Sequence, residues 1–164
     1  MDDPEALIGW FEAHAAGLVL YARQWLDRAA AEDAVQEAFV RLTLQPRPPD
    51  NVKAWLFRTV RNEAIAQWRS HRRRGRREQA IAARETFFAP SSDDALDAKA
   101  AAAALHRLPA AQREIVVLRI WGQLTLAEIS RLTATPVSTV FHQYQRGLNA
   151  LREMMGTPCT NQND

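Results

Sequence analysis

Cysteine is nearly missing from this 164-residue chain. Cys159 stands alone, which excludes an internal disulfide and leaves too few thiolates for a structural zinc site of the usual kind. Glycine is sparse at six residues, and no Gly-rich phosphate loop can be written from them. Long apolar runs are missing as well. The longest, Ala15 to Ala22, stops at Arg23, far short of the roughly 18 residues that a membrane helix needs, so no membrane insertion is expected. The chain opens Met1-Asp2-Asp3, acidic where a secretory signal is basic; a soluble, cytoplasmic protein is expected. The four histidines, His14, His71, His106 and His142, are scattered and fall into no Ser/His/Asp or paired metal-ligand spacing. No catalytic residue, no metal site and no cofactor is expected, and the chain is not read as an enzyme.

Ordinary bulk composition lies behind these absences. An apolar fraction of 47% and a charged fraction of 24% sit near the averages for folded soluble domains. Charge, by contrast, is unevenly spread. Residues 1–45 carry a net −5, residues 46–77 carry +8, residues 78–98 carry −4 and residues 99–164 carry +3. A segment at +8 in about thirty residues creates a field that favours polyanions. Lysine contributes only Lys53 and Lys99, so arginine, whose fork suits phosphates and base edges, supplies almost all the positive charge.

Abundant alanine and apolar residues at steps of three and four predict an almost wholly helical chain. A first helix is expected over 4–26, with Leu7, Trp10, Phe11, Leu18, Tyr21 and Trp25 available for burial. A second is expected over 29–45, with Val35, Ala38, Phe39 and Leu42 on one face and Glu32, Asp33, Gln36, Glu37 and Arg41 on the other. The run Gln45-Pro46-Arg47-Pro48-Pro49-Asp50-Asn51 resists helix. A long third helix follows from Val52 into the arginine cluster near Arg72–Arg77, and its Trp55 and Trp68 fall among apolar positions that suit core packing. Residues 78–98 read as a linker. Four helices are then expected: Asp97–Leu108, Ala110–Trp121 ended by Gly122, a short helix after Thr125, and Ser138–Met155. Thr125 with Glu128 three residues on is a capping-box pattern. Short helix, turn at Ala134-Thr135-Pro136 and longer helix make a helix-turn-helix unit. The fold class is therefore all-α, with two small helical domains over 1–77 and 99–155, the linker 78–98 between them and a tail over 156–164.

Several of these segments resemble one family. Ala31-Glu-Asp-Ala-Val-Gln-Glu-Ala-Phe-Val-Arg-Leu42 is similar to region 2.2 of the extracytoplasmic-function (ECF) sigma factors of bacterial RNA polymerase. Val52-Lys-Ala-Trp-Leu-Phe-Arg-Thr-Val-Arg-Asn-Glu-Ala-Ile-Ala66 and the arginines after it resemble regions 2.3 and 2.4. Leu108-Pro109 through Arg119, Leu124 to Ile129, and Val137 to Glu153 resemble region 4. The resemblance implies a chain that binds core polymerase, directs it to promoters and initiates transcription. It implies that Asp33, Gln36, Glu37 and Arg41 dock on the polymerase, whose β′ coiled coil and β subunit are the expected partners. It assigns Asp50, Asn51, Lys53, Arg58, Arg61, Asn62, Arg69, Arg72, Arg73 and Arg74 to the −10 element, where the family flips a base out of the duplex. It assigns Ser138, Thr139, His142, Gln143, Gln145 and Arg146 to the −35 element. An anti-sigma factor is the further partner that it implies.

Two positions depart from the family pattern, Ala134 where it favours glycine and Thr133 where it favours an aliphatic residue. The last helix also has Phe141-His142-Gln143 where Lys or Arg is common, and one early arginine contributes little counterion-release affinity. Two alternatives follow. A stand-alone helix-turn-helix regulator accounts for 110–155 but leaves the polar face of the second helix and the arginine-rich third unexplained. A sigma-like decoy would bind polymerase without initiating.

Overall fold

The computed structural model describes residues 4–74 and 95–156. Among the described residues all regular structure is helical, in seven helices: α1 Pro4–Ala22, α2 Arg28–Thr43, α3 Val52–Arg74, α4 Ala95–Arg107, α5 Ala110–Ile120, α6 Leu126–Thr133 and α7 Val137–Met154. This is the all-α fold that the periodicity predicts. The helices fall into two compact units, α1–α3 with the short segment Trp121–Leu124 in one, and α4–α7 in the other. Most of the expected linker, and the expected tail beyond Gly156, lie outside the described residues; residues 95–98 of the linker belong to α4.

In the first unit α1, α2 and α3 pack against one another. Asp27 starts α2: its side chain accepts from the Ala30 backbone N–H at 2.9 Å, satisfying one of the amides that a helix start leaves open. Ala31, Ala34, Val35, Ala38, Phe39 and Leu42 then bury one face of α2. Small alanines at three of those six positions let α1 and α3 approach closely. Leu56, Phe57, Val60 and Ala64 do the same for α3, and Leu18, Tyr21 and Ala22 for α1. Tyr21 sits at the centre of an aromatic group, 5.2 Å from Trp25 and 5.5 Å from Phe57 between ring centroids, in the edge-on geometry that aromatic quadrupoles favour. The first helix ends at Ala22, earlier than the apolar pattern predicts, because the chain tightens into turns over Arg23–Leu26. Phe11 is not buried as expected: it is about half exposed and leans on Phe39 at 5.1 Å.

In the second unit the four consecutive residues Ile115, Val116, Val117 and Leu118 are all buried, while both ends of α5 are exposed. The Thr125 capping box forms as the sequence predicts. Glu128 N–H donates to the Thr125 hydroxyl at 3.2 Å, and the Thr125 N–H donates to the Glu128 carboxylate at 2.7 Å. Ala134 closes α6 in the left-handed region, φ 53°, where glycine pays no Cβ penalty. Gly122 does not end α5 in that way; the left-handed residue there is Gln123, φ 48°. Helix α7 crosses α5 at Gly147, where an added Cβ would stand 2.8 Å from the Val116 Cγ2 methyl. That close approach holds α7 against the core and turns its opposite face outward.

Candidate functional site

Because the buried stripe of α2 faces inward, Asp33, Gln36 and Glu37 are exposed on its outer side, and Val40 and Leu44 extend the same surface. Leu44 is 74% exposed. Both fall outside the 35-38-39-42 stripe, so their exposure was legible in the sequence. Arg41 is exposed but engaged. Its Nε donates to Glu37 at 2.9 Å and its second guanidinium nitrogen donates to Glu63 on α3 at 3.1 Å. It therefore ties α2 to α3 while Asp33 and Gln36 remain outward.

Asn51 starts α3, its side-chain oxygen accepting from the Ala54 N–H at 2.9 Å, so this residue serves the helix start as a cap. Lys53 donates to the Gln123 carbonyl at 2.8 Å within the first unit. Asp50 is exposed in the loop. Along α3, Arg58, Asn62, Arg69, Arg72 and Arg73 are exposed at steps of three, four and seven residues, which places them on one side of the helix. Arg61 is half-buried. Arg74 is the last residue of α3, and its side chain lies outside the described residues.

Between the end of α2 and the first half of α3 lies an open groove of about 360 Å³, lined by Arg41, Leu44, Gln45, Trp55, Thr59 and Asn62. Only Arg41 and Asn62 of these six are among the expected site residues. Trp55, expected in the core, is half-buried and forms one wall of the groove. Trp68, also expected in the core, is 37% exposed, with the Arg72 guanidinium 4.9 Å over its ring; the arginine's charge favours the ring face. Both tryptophans occupy apolar positions by period, but the three-helix packing closes before it covers them.

On α7, Ser138, Thr139, His142, Gln145 and Arg146 are exposed on the face opposite Val140 and Gly147. Gln143 is half-buried, one step around the helix from the others. Phe141, not among the expected residues, is 44% exposed, and its ring lies 5.7 Å from that of His142. Among the described residues no three His, Cys, Asp or Glu side chains come together as metal ligands, and no helix is long and apolar enough to cross a membrane.

Comparison with known proteins gives a consistent result. Residues 10–74 match the family described as Sigma-70 region 2, and residues 98–151 match Sigma-70, region 4. The chain is 26% identical over 145 residues to the ECF RNA polymerase sigma factor SigK of Mycobacterium ulcerans (strain Agy99), covering 83% of this chain and 78% of that protein. It is 28% identical over 140 residues to the ECF RNA polymerase sigma factor SigW of Bacillus subtilis (strain 168), covering 76% and 75%. Two solved structures share the fold. One is the sigma factor RpoE in complex with the anti-sigma factor NepR from Bartonella quintana, with TM-score 0.76 and 22% identity over 92% of this chain and 96% of that one. The other is CnrH in complex with the cytosolic domain of CnrY, with TM-score 0.63 and 21% identity over 94% and 90%.

Proposed function

The chain belongs to the ECF sigma factors, and from that premise we propose how its residues divide the work of binding core RNA polymerase, selecting a promoter and initiating transcription. The outer face of α2, with Asp33, Gln36 and Glu37 flanked by Val40 and Leu44, docks on the polymerase. Charged and amide groups around an apolar patch suit a specific protein contact, the polar groups setting register and the apolar ones supplying buried area. Arg41 supports that face from its edge through Glu37 and Glu63.

The groove and the outward side of α3 engage the −10 element. One observation carries this reading: an aromatic side chain, Trp55, lines the groove together with amide and hydroxyl groups, Gln45, Asn62 and Thr59, on a helix that also carries a row of arginines. An unstacked base can stack on the indole while its edge meets the amides. Arg58, Arg69, Arg72 and Arg73 take phosphates of the adjoining strand, with Arg61 and Arg74 as further contributors. Asp50, Asn51 and Lys53, at the loop and first turn that lead into α3, add contacts to the same element. Helix α7 presents Ser138, Thr139, His142, Gln145 and Arg146 to the −35 duplex, with Gln143 at the margin. The chemistry of RNA synthesis belongs to the polymerase, and the chain has no reaction of its own on this reading. Its place is the cytoplasm, with the polymerase. A sigma factor of similar fold, RpoE of Bartonella quintana, was solved with the anti-sigma factor NepR bound, and an anti-sigma factor is the natural further partner here.

The test is capture of bacterial core RNA polymerase by the purified chain, followed by run-off transcription on genomic fragments. Specific new transcripts are expected. The double variant Asp33→Ala with Gln36→Ala should lose polymerase association while retaining helicity; wild-type association would refute the docking face. Binding without transcripts would favour the decoy alternative.

A further inference from the structure

The outward face of α7 is unusual in what borders it. Val140 and Gly147 are buried, so Ser138, His142 and Gln145 lie opposite the core and Phe141 stands at one edge of their row, about a quarter turn from Val140. Phe141 keeps 44% of its surface in water and Val137, one turn earlier, keeps 47%. Apolar area of this kind is unfavourable in the free protein and gains when a partner covers it. From Val137 to Arg152 the helix contains no acidic residue, so nothing on this face repels a polyanion. It carries Ser138, His142 and Gln145 at its centre, the exposed apolar side chains of Phe141 and Val137 along one flank and Arg146 on the other. A phosphate-directed surface would be cationic at its centre. A hydroxyl, imidazole and amide row edged by apolar side chains fits the floor of the major groove, where base edges offer donors and acceptors and the thymine 5-methyl is the one apolar group on display.

We propose that Phe141, assisted by Val137, contacts thymine 5-methyl groups of the upstream duplex element and so selects its sequence through apolar contact. His142 and Gln145 hydrogen-bond to neighbouring base edges, and Arg146 holds the register at a phosphate. The proposal rests on the reading of α6–α7 as the duplex-binding unit. Affinity of this upstream contact then depends only weakly on salt, because few counterions are released, while its sequence preference persists at high salt.

The experiment uses holoenzyme assembled from core polymerase and the full chain, on a promoter duplex recovered by run-off transcription. Thymines of the upstream element are replaced by deoxyuridine, which keeps the pairing and removes only the methyl group. Wild type should bind the deoxyuridine duplex roughly three- to five-fold more weakly for each contacted methyl, the change expected for one buried carbon. Phe141→Ala should bind less tightly and treat the two duplexes alike. Phe141→Lys should also treat them alike, with a steeper salt dependence. Circular dichroism of both variants controls for folding, which an exposed position should leave intact. Equal binding of both duplexes by wild type, or discrimination that survives in Phe141→Ala, overturns the proposal. A chain that assembles no transcribing holoenzyme overturns it together with its premise, whereas transcription without thymine discrimination overturns this inference alone.

Discussion

Gly147→Ala tests how closely α7 is held against α5. A Cβ at this position stands 2.8 Å from Val116 Cγ2, 3.5 Å from Gln112 Cβ and 3.6 Å from the Gln112 carbonyl oxygen. Comfortable carbon–carbon contact is about 3.5–4.0 Å, so the Val116 methyl must move or the helices must separate. Val116 is fully buried, and a β-branched side chain inside a helix has one strongly preferred rotamer, so the methyl cannot swing aside. Overpacking of this kind costs about 1–3 kcal/mol. Alanine recovers about 1 kcal/mol over glycine through helix propensity. The expected outcome is a net loss of about 1 kcal/mol, or roughly 4–8 °C in the melting of a domain of this size. Urea unfolding, with hydrogen exchange at α5 and α7 amides, locates the change in the second unit. In a Val116→Ala background the same glycine substitution should become neutral or stabilising, because the obstructing methyl is gone; the two sites are in contact and should couple. A Gly147→Ala protein as stable as wild type, or a loss that persists unchanged beside Val116→Ala, would refute the reasoning.

Ala134→Gly should stabilise the second unit by about 1 kcal/mol, because Ala134 holds a left-handed conformation that a Cβ disfavours; an unchanged urea midpoint would count against it. Trp55→Ala should weaken opening of the −10 region by roughly ten-fold, in keeping with about 1–3 kcal/mol for base–aromatic stacking, as read by permanganate reactivity of the opened strand; full opening would remove Trp55 from the groove's function. Replacing Arg72, Arg73 and Arg74 by Ala should weaken promoter binding and make its salt dependence shallower, and an unaltered slope would show that these arginines touch no phosphate. Burial, and then the positive charge of Lys53, hold the His14 pKa below its ordinary value of 6.5, against a raising backbone hydrogen bond at Ala13. The unfolded chain therefore binds the proton first as pH falls, so His14 favours the fold above 6.5, and that contribution is lost between 6.5 and the lower folded value. Urea midpoints of His14→Gln should vary less with pH through this window than those of wild type, and equal slopes would refute the assignment.

The sequence alone determined the helical fold, the helix-turn-helix and the family. Helical period and capping are local: Val35, Ala38, Phe39 and Leu42 mark one face of α2 whatever lies against it, and Thr125 needs only Glu128 to close its capping box. Charge clustering is equally local, so the arginine face of α3 was legible from spacing. Tertiary structure decided which of the apolar positions are covered. Period puts Trp55 and Trp68 among core residues, yet three helices bury only a limited width of α3, and both rings reach its edge, one in a groove and one beneath Arg72. The groove itself joins Arg41 and Leu44 to Trp55, Thr59 and Asn62, residues separated by the proline loop, and no local pattern states that distant positions will share a wall. Phe141 follows the same rule: the approach of Gly147 to Val116 sets the rotation of α7 and leaves the ring partly in water. A helix's periodicity defines its faces, but only the packing of its neighbours chooses which of them meets solvent.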